Sequence, residues 1–119
     1  DGLGSELAMY YYLKSLNKNV RILNISLLAA RYNFMDPNNV VETYSSDSSI
    51  ENSDLVIVFD LGDYKRLGKL GEKISEKNID VINIDHHVPR DESFYCLSIV
   101  DIDAAATTYM IWKYFEYLN

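Results

Sequence analysis

Cysteine is nearly absent from this chain of 119 residues: Cys96 stands alone, so no internal disulfide can form, and a cytoplasmic setting is the default expectation. Set in the apolar stretch Phe94 to Val100, it reads as a buried filler, with no sequence neighbour that would lower its pKa. Basic residues are also in deficit. Eleven lysines and arginines against eighteen aspartates and glutamates give a formal net charge of -7, which excludes a basic surface of the kind that grips nucleic acid or anionic lipid. A polyanionic substrate would need a cation supplied from elsewhere. No apolar run approaches the roughly 20 residues of a membrane-spanning helix, and the N-terminus lacks the basic-then-apolar order of a signal peptide. No membrane partner is expected. The chain shows no internal repeat and no low-complexity tail, and it begins at Asp1 rather than at a methionine, so a piece of a longer protein, or a processed form, is expected.

What is present is enough apolar material, 48% of residues, for one modest core and a single unit over residues 1–119. Glu6 to Leu16 carries Met9, Tyr12, Leu13 and Leu16 on one helical stripe, behind a glycine-rich entrance at Asp1-Gly2-Leu3-Gly4-Ser5. Val20 to Ile25 alternates as a strand. Leu27 to Tyr32 reads as a short helix or a loop, Met35-Asp36-Pro37-Asn38-Asn39 as a turn, and Ser45 to Ser53 as a surface connection. Leu55-Val56-Ile57-Val58-Phe59 is a continuous apolar run between two aspartates, the pattern of a strand covered on both faces. Leu67, Leu70 and Ile74 then recur at helical spacing, with Asn78 as the stop. Ile79 to Ile84 and Phe94 to Val100 are further strands, and Asp101 or Asp103 starts a last helix over Ala104 to Leu118. The order of elements predicts an α/β fold with a largely parallel β-sheet flanked by helices.

The two histidines, His86 and His87, are adjacent and follow Asp85 at the end of a strand. Asp60 follows the other apolar strand. Aspartates behind parallel strands project toward the same rim of a sheet, where open α/β folds bind their ligands. Taken alone, Asp60 reads as a turn former or cap, Asp1 as a terminus, and the histidine pair as readily as loop hydrogen-bonders. Together, hard carboxylate oxygens and an imidazole suit Mn²⁺ or Mg²⁺ better than a closed zinc site, which would usually offer thiolates. Arg66 and Arg90 lie near Asp60 and His87 in sequence, within reach of a phosphate there, with surface solvation the plainer role. The tyrosines 10 to 12 and the aromatic last helix read as amphipathic packing.

These same stretches resemble the successive motifs of the DHH phosphoesterase superfamily: Asp1-Gly2-Leu3-Gly4-Ser5, the strand ending in Asp60, Asp85-His86-His87, and Val100-Asp101 followed by Ala104-Ala105-Ala106-Thr107-Thr108. That superfamily includes RecJ-like exonucleases, nanoRNases, phosphoadenosine-phosphate phosphatases, cyclic-dinucleotide phosphodiesterases, exopolyphosphatases and manganese-dependent pyrophosphatases. The resemblance spans almost the whole chain and implies a three-layer DHH domain whose complete form holds two Mn²⁺ or Mg²⁺ ions. It implies that Asp1 and His86 are metal ligands, that Asp60 bridges the two ions, that Asp85 orients His86, and that His87 contacts the substrate phosphate.

The resemblance also implies residues beyond this sequence. The strand of the first motif with a histidine and an aspartate upstream of Asp1, a later aspartate, and a C-terminal substrate-binding domain are expected outside it. Weak metal binding and little turnover are therefore expected of these 119 residues alone. The implied activity is hydrolysis of phosphodiesters or phosphomonoesters of nucleotides or short oligonucleotides by metal-activated water, with pyrophosphate or polyphosphate as the alternative substrate. A degenerate DHH domain serving as an interaction scaffold is the rival reading, against which stands the presence of Asp60, His86 and His87. A homodimer stays open as the assembly state.

Overall fold

Strand formation follows the apolar runs of the sequence, trimmed to the residues that find pairing partners. The computed structural model describes residues 1–119, in which α1 (Gly2–Ser15) leads to β1 (Ile22–Asn24), a 3₁₀ turn (Ala30–Met35) and β2 (Val41–Thr43). Next come β3 (Leu55–Phe59), a second 3₁₀ turn (Tyr64–Leu67), α2 (Lys69–Glu76), β4 (Asp80–Asp85), β5 (Leu97–Val100) and α3 (Thr107–Leu118). All pairing is parallel, in two sheets: β1 with β2, and β3-β4-β5 in that spatial order. The expected α/β architecture of parallel strands flanked by helices is the one observed.

Register sets up the functional rim. Phe59 pairs with Ile84 and Asp85 with Val100, so the residues following β3, β4 and β5 emerge side by side at one edge. The ladder closes beyond the strands through Asp60 N donating to Ile84 O at 3.1 Å and Asp101 N to Asp85 O at 3.2 Å. Beneath this edge, Val58 and Val81 meet Leu70 and Ile74 of α2 and Ile50 in one buried cluster. Burying such side chains contributes about 1.5–3 kcal/mol each, and it fixes which face of β3 and β4 turns toward α2. Helix α1 contacts α3, β1 and β3, and Tyr12 packs on Phe115 with ring centroids 5.0 Å apart.

Several expectations shift. Helix α1 starts at Gly2 rather than behind the glycines, and it buries Ser5, Leu7 and Met9 in its first half while Leu16 is exposed. Its N-terminal turns, not a lengthwise stripe, are wedged into the fold. Asp36 is buried within its turn, its two carboxylate oxygens accepting from Val40 N and Val41 N at 2.9 Å each; this clamp launches β2, too short a strand to stand out from the sequence. Ile50 interrupts the polar connection of residues 45–53 by inserting into the core. Cys96 is exposed, not buried, because it lies just before the edge strand β5, which has a partner on one side only. No helix is long and apolar enough to cross a membrane.

Glu6 is carried inward by the early start of α1 and accepts Asn24 Nδ2–H at 2.6 Å. Burial raises its carboxyl pKa, the Asn24 bond lowers it and the charge of Asp36 raises it again, leaving it pushed up from 4.5 to about 7. The neutral acid is thus the form that favours folding, so this contribution is complete below about pH 4.5 and is lost as pH rises through about 7. Urea denaturation is expected to show stability falling by on the order of 2–3 kcal/mol between pH 5 and pH 8. Glu6→Gln should flatten that slope; an unchanged slope would place its origin elsewhere.

Candidate metal centre

Strand β3 delivers Asp60 in the left-handed region, at φ 56°, a conformation that asparagine and aspartate tolerate better than branched residues do. The kink turns the carboxylate back over the rim. Oδ1 of Asp60 lies 3.3 Å from His86 Nε2 and accepts the hydroxyl of Thr107 at 3.2 Å. Gly2, the first residue of α1, sits against Asp60, so a Cβ built there would lie 3.6 Å from Asp60 Oδ2.

Asp1 arrives from the opposite end of the chain. Its Oδ2 accepts Thr107 N at 2.9 Å, and its Oδ1 accepts Thr108 N at 2.8 Å and the Thr108 hydroxyl at 2.9 Å. These are the first two amides of α3, which Ala106 enters in extended conformation without a side-chain cap of its own. Asp1 therefore caps a helix more than a hundred residues away, where the helix dipole favours a carboxylate. The last helix consequently starts at Thr107, three residues later than Ala104. Asp101 and Asp103 do not cap it: Asp101 Oδ1 accepts Asp103 N in its own turn.

His86 stands between the two carboxylates. Its Nδ1 lies 3.2 Å from the carbonyl of Ala104, an acceptor, so that nitrogen carries the proton and the other faces inward. Nε2 then lies 3.4 Å from Asp1 Oδ2 and 3.3 Å from Asp60 Oδ1. A lone pair on Nε2 facing two carboxylate oxygens calls for a positive charge beside it, either a second imidazole proton or a metal ion. Ligand atoms about an ion with bonds of about 2.1 Å lie about 3.0–3.4 Å apart, so the observed separations suit a divalent cation.

Asp85 occupies a different place from the one expected. Its carboxylate, on a residue only 3% exposed, accepts Gly62 N at 2.7 Å, His86 N at 2.7 Å, His87 N at 3.1 Å and the His87 ring at Nδ1, 2.6 Å away. Burial pushes its pKa up, but the hydrogen bonds from the His87 ring and the three amides outweigh it and hold the acid below its ordinary range. Asp85 thus orients the ring of His87, while the ring of His86 is oriented by the Ala104 carbonyl. The backbone of the Asp-His-His corner and the Leu61-Gly62 loop are tied to one anion.

His87 is half exposed, with Nδ1 3.7 Å from Asp60 Oδ1. Ligand-capable atoms of Asp60, His86 and His87 come within 4.8 Å of one another. The structure therefore brings Asp1, Asp60, His86 and His87 to one rim and sets Asp85 behind them. Sequence reasoning missed the roles of Thr107, Thr108, Gly62 and Ala104. The small-residue stretch Ala104 to Thr108 stands out in the sequence but marks none of these backbone roles, and nothing marks that of Gly62.

The sequence model described as DHH family, N-terminal domain, matches residues 1–119. The chain belongs to the DHH family. Among solved structures, this DHH domain is similar to an exopolyphosphatase-related protein from Bacteroides fragilis, with a TM-score of 0.85 at 21% sequence identity. The match covers 95% of this chain and 34% of that one, so the DHH domain here spans about a third of its neighbour's length. At that identity the likeness establishes the shared fold. No curated protein sequence matches this chain. The DHH family is one of phosphoesterases that generally depend on divalent metal.

Proposed function

We propose that this DHH domain is the catalytic part of a divalent-metal-dependent phosphoesterase that hydrolyses phosphodiester or phosphomonoester bonds of nucleotides or short oligonucleotides. The observation that carries this reading is the facing of His86 Nε2 with Asp1 Oδ2 and Asp60 Oδ1 at 3.4 and 3.3 Å. Those three residues would hold the cation, with manganese or magnesium favoured by the donor set. When bound, such an ion polarises a phosphoryl oxygen and lowers the pKa of water at neutral pH.

The protein's own groups do the rest. Ala104 and Thr107 fix the ring of His86 and the carboxylate of Asp60, so neither needs to reorganise during reaction. Asp85, ionised and buried, holds the Nδ1 proton of His87 and leaves Nε2 as that ring's one free nitrogen, available to a phosphoryl oxygen or a leaving oxygen.

The -7 charge disfavours a processive grip on long nucleic acid and favours small substrates. The exopolyphosphatase-related neighbour keeps pyrophosphate and polyphosphate as the second substrate reading. A panel of a dinucleotide, a nucleotide bisphosphate, pyrophosphate and tripolyphosphate, assayed with Mn²⁺ in the protein carrying these residues, separates the two. Hydrolysis of the first pair that stops in EDTA is the expected result; turnover confined to the inorganic pair selects the second reading, and turnover unaffected by EDTA contradicts both.

A further inference from the structure

A cleft of about 400 Å³ lies at the opposite end of β4 from the metal centre, between the last turn of α2 and the loop that leads from the Asp-His-His corner to β5. The length of β4, about 17 Å at about 3.3 Å per residue, separates the two. Its size is that of a small-molecule site, about 300–1,000 Å³. Ile74 and Val81, each 2% exposed, form the floor. Phe94 forms one wall and is backed by Tyr64, the two rings stacked 6° from parallel with centroids 4.8 Å apart. The rim carries Ser75, Asn78 and Asp80, all exposed, and none of these three side chains has a hydrogen-bond or ion-pair partner within the chain.

The charge of this cleft is of one sign. The carboxylate of Asp80 stands by the C-terminal end of α2, where the helix dipole is negative. No cation answers it: Lys73 donates to the Ser48 carbonyl at 2.5 Å, and Lys77 pairs with Glu51 at 3.3 Å. Asn78 takes the left-handed backbone conformation at φ 52°, its amide closing on the Ser75 carbonyl at 3.1 Å. That tight turn is what brings Ser75, Asn78 and Asp80 to a single rim.

We infer that this cleft binds a small organic cation, a primary ammonium carried on an aliphatic stem. An ammonium group offers three N–H donors and no acceptor, which matches the Asp80 carboxylate, the Ser75 hydroxyl and the carbonyl oxygen of the Asn78 side chain. The stem covers Ile74, Ile79 and Val81, and the ring of Phe94 attracts a cation held beside it. A phosphate or carboxylate ligand would meet only negative charge here, and an uncharged alcohol would leave that charge unanswered. The site shares no residue with the metal centre and stands independently of the phosphoesterase reading.

The test is an amide-resonance titration of the full 119-residue chain with n-butylammonium chloride and separately with n-butanol, at constant ionic strength, beside Asp80→Asn. Saturable shifts at Ser75, Asn78, Asp80 and Phe94 are expected, with butylammonium bound about tenfold more weakly by the variant. Butanol should bind more weakly than butylammonium and be indifferent to the substitution. Asp80 is exposed and unbonded, so the variant should fold as the parent does. Phe94→Leu keeps the apolar bulk, removes the ring and should weaken butylammonium about threefold. Equal binding of butylammonium by the parent and Asp80→Asn, equal binding of the ammonium and the alcohol by the parent, or shifts centred on Asp101 and Asp103 instead, overturns the inference.

Discussion

Replacing Asp60 with asparagine is expected to lower metal-dependent phosphoester hydrolysis by more than about 100-fold, since even residues that merely support a metal ligand cost 10–100-fold when removed. Asparagine is the informative substitution. It tolerates the left-handed conformation at φ 56° and keeps an oxygen for the Thr107 hydroxyl, so stability should change little while the negative charge is lost. Asp60→Ala removes the charge as well and adds about 1 kcal/mol of backbone strain. Steady-state kinetics with Mn²⁺, beside urea denaturation of each variant, separates the two effects. Activity of Asp60→Asn within tenfold of the parent would contradict a ligand role.

The second large effect belongs to Asp85 and is one of stability. Its carboxylate answers the amides of Gly62, His86 and His87 and the ring of His87, and alanine would leave these donors facing a buried void. With about 1–3 kcal/mol for each buried polar group left unpaired, partly recovered by water, the expected loss is about 3–5 kcal/mol. That is a large share of the 5–15 kcal/mol typical of a whole domain. Asp85→Asn offers a neutral acceptor in place of the carboxylate and should fall between.

The same bonds hold the Asp85 acid below its usual 3.8, so the stability it contributes is present above that pH and is lost as pH falls through the lower folded value. Acid unfolding of the parent should therefore begin below about pH 4. A melting temperature for Asp85→Ala within 2 °C or so of the parent would show that the corner does not depend on this anion.

Both effects trace back to a few residues whose placement is legible in the amino-acid pattern itself. Asp60 and His86 follow apolar runs that pair in parallel, and parallel strands leave no choice about which rim their C-terminal neighbours reach. The family motifs point to Asp1 as a third member. What the sequence hides is the backbone chemistry. The Ala104 carbonyl that orients His86 and the Thr107 and Thr108 amides that hold Asp1 carry no residue-type signature. Three consecutive alanines look like the start of a helix by propensity, yet here the helix waits for the residue whose amide finds a carboxylate donated by the opposite end of the chain. The assignment of Asp85 to His86 fails for a related reason: adjacency in sequence suggests a partner, but a strand end turns successive side chains apart. Asp85 is left beside the ring two residues on. Ile50 and Cys96 show the same limit, since pattern alone tells neither that a lone apolar residue in a polar loop will plug the core nor that a cysteine at an edge strand will stay exposed.

Asp1, Asp60 and His86 are proposed to hold a divalent cation together, and paramagnetic broadening by Mn²⁺ tests this without requiring tight binding or turnover. Substoichiometric Mn²⁺ should selectively broaden the amides of Gly2, Leu61, His86, Thr107 and Thr108, and His86→Ala should abolish that pattern. Sharp resonances at this rim, or broadening that centres on the exposed Asp101 and Asp103 instead, would contradict it.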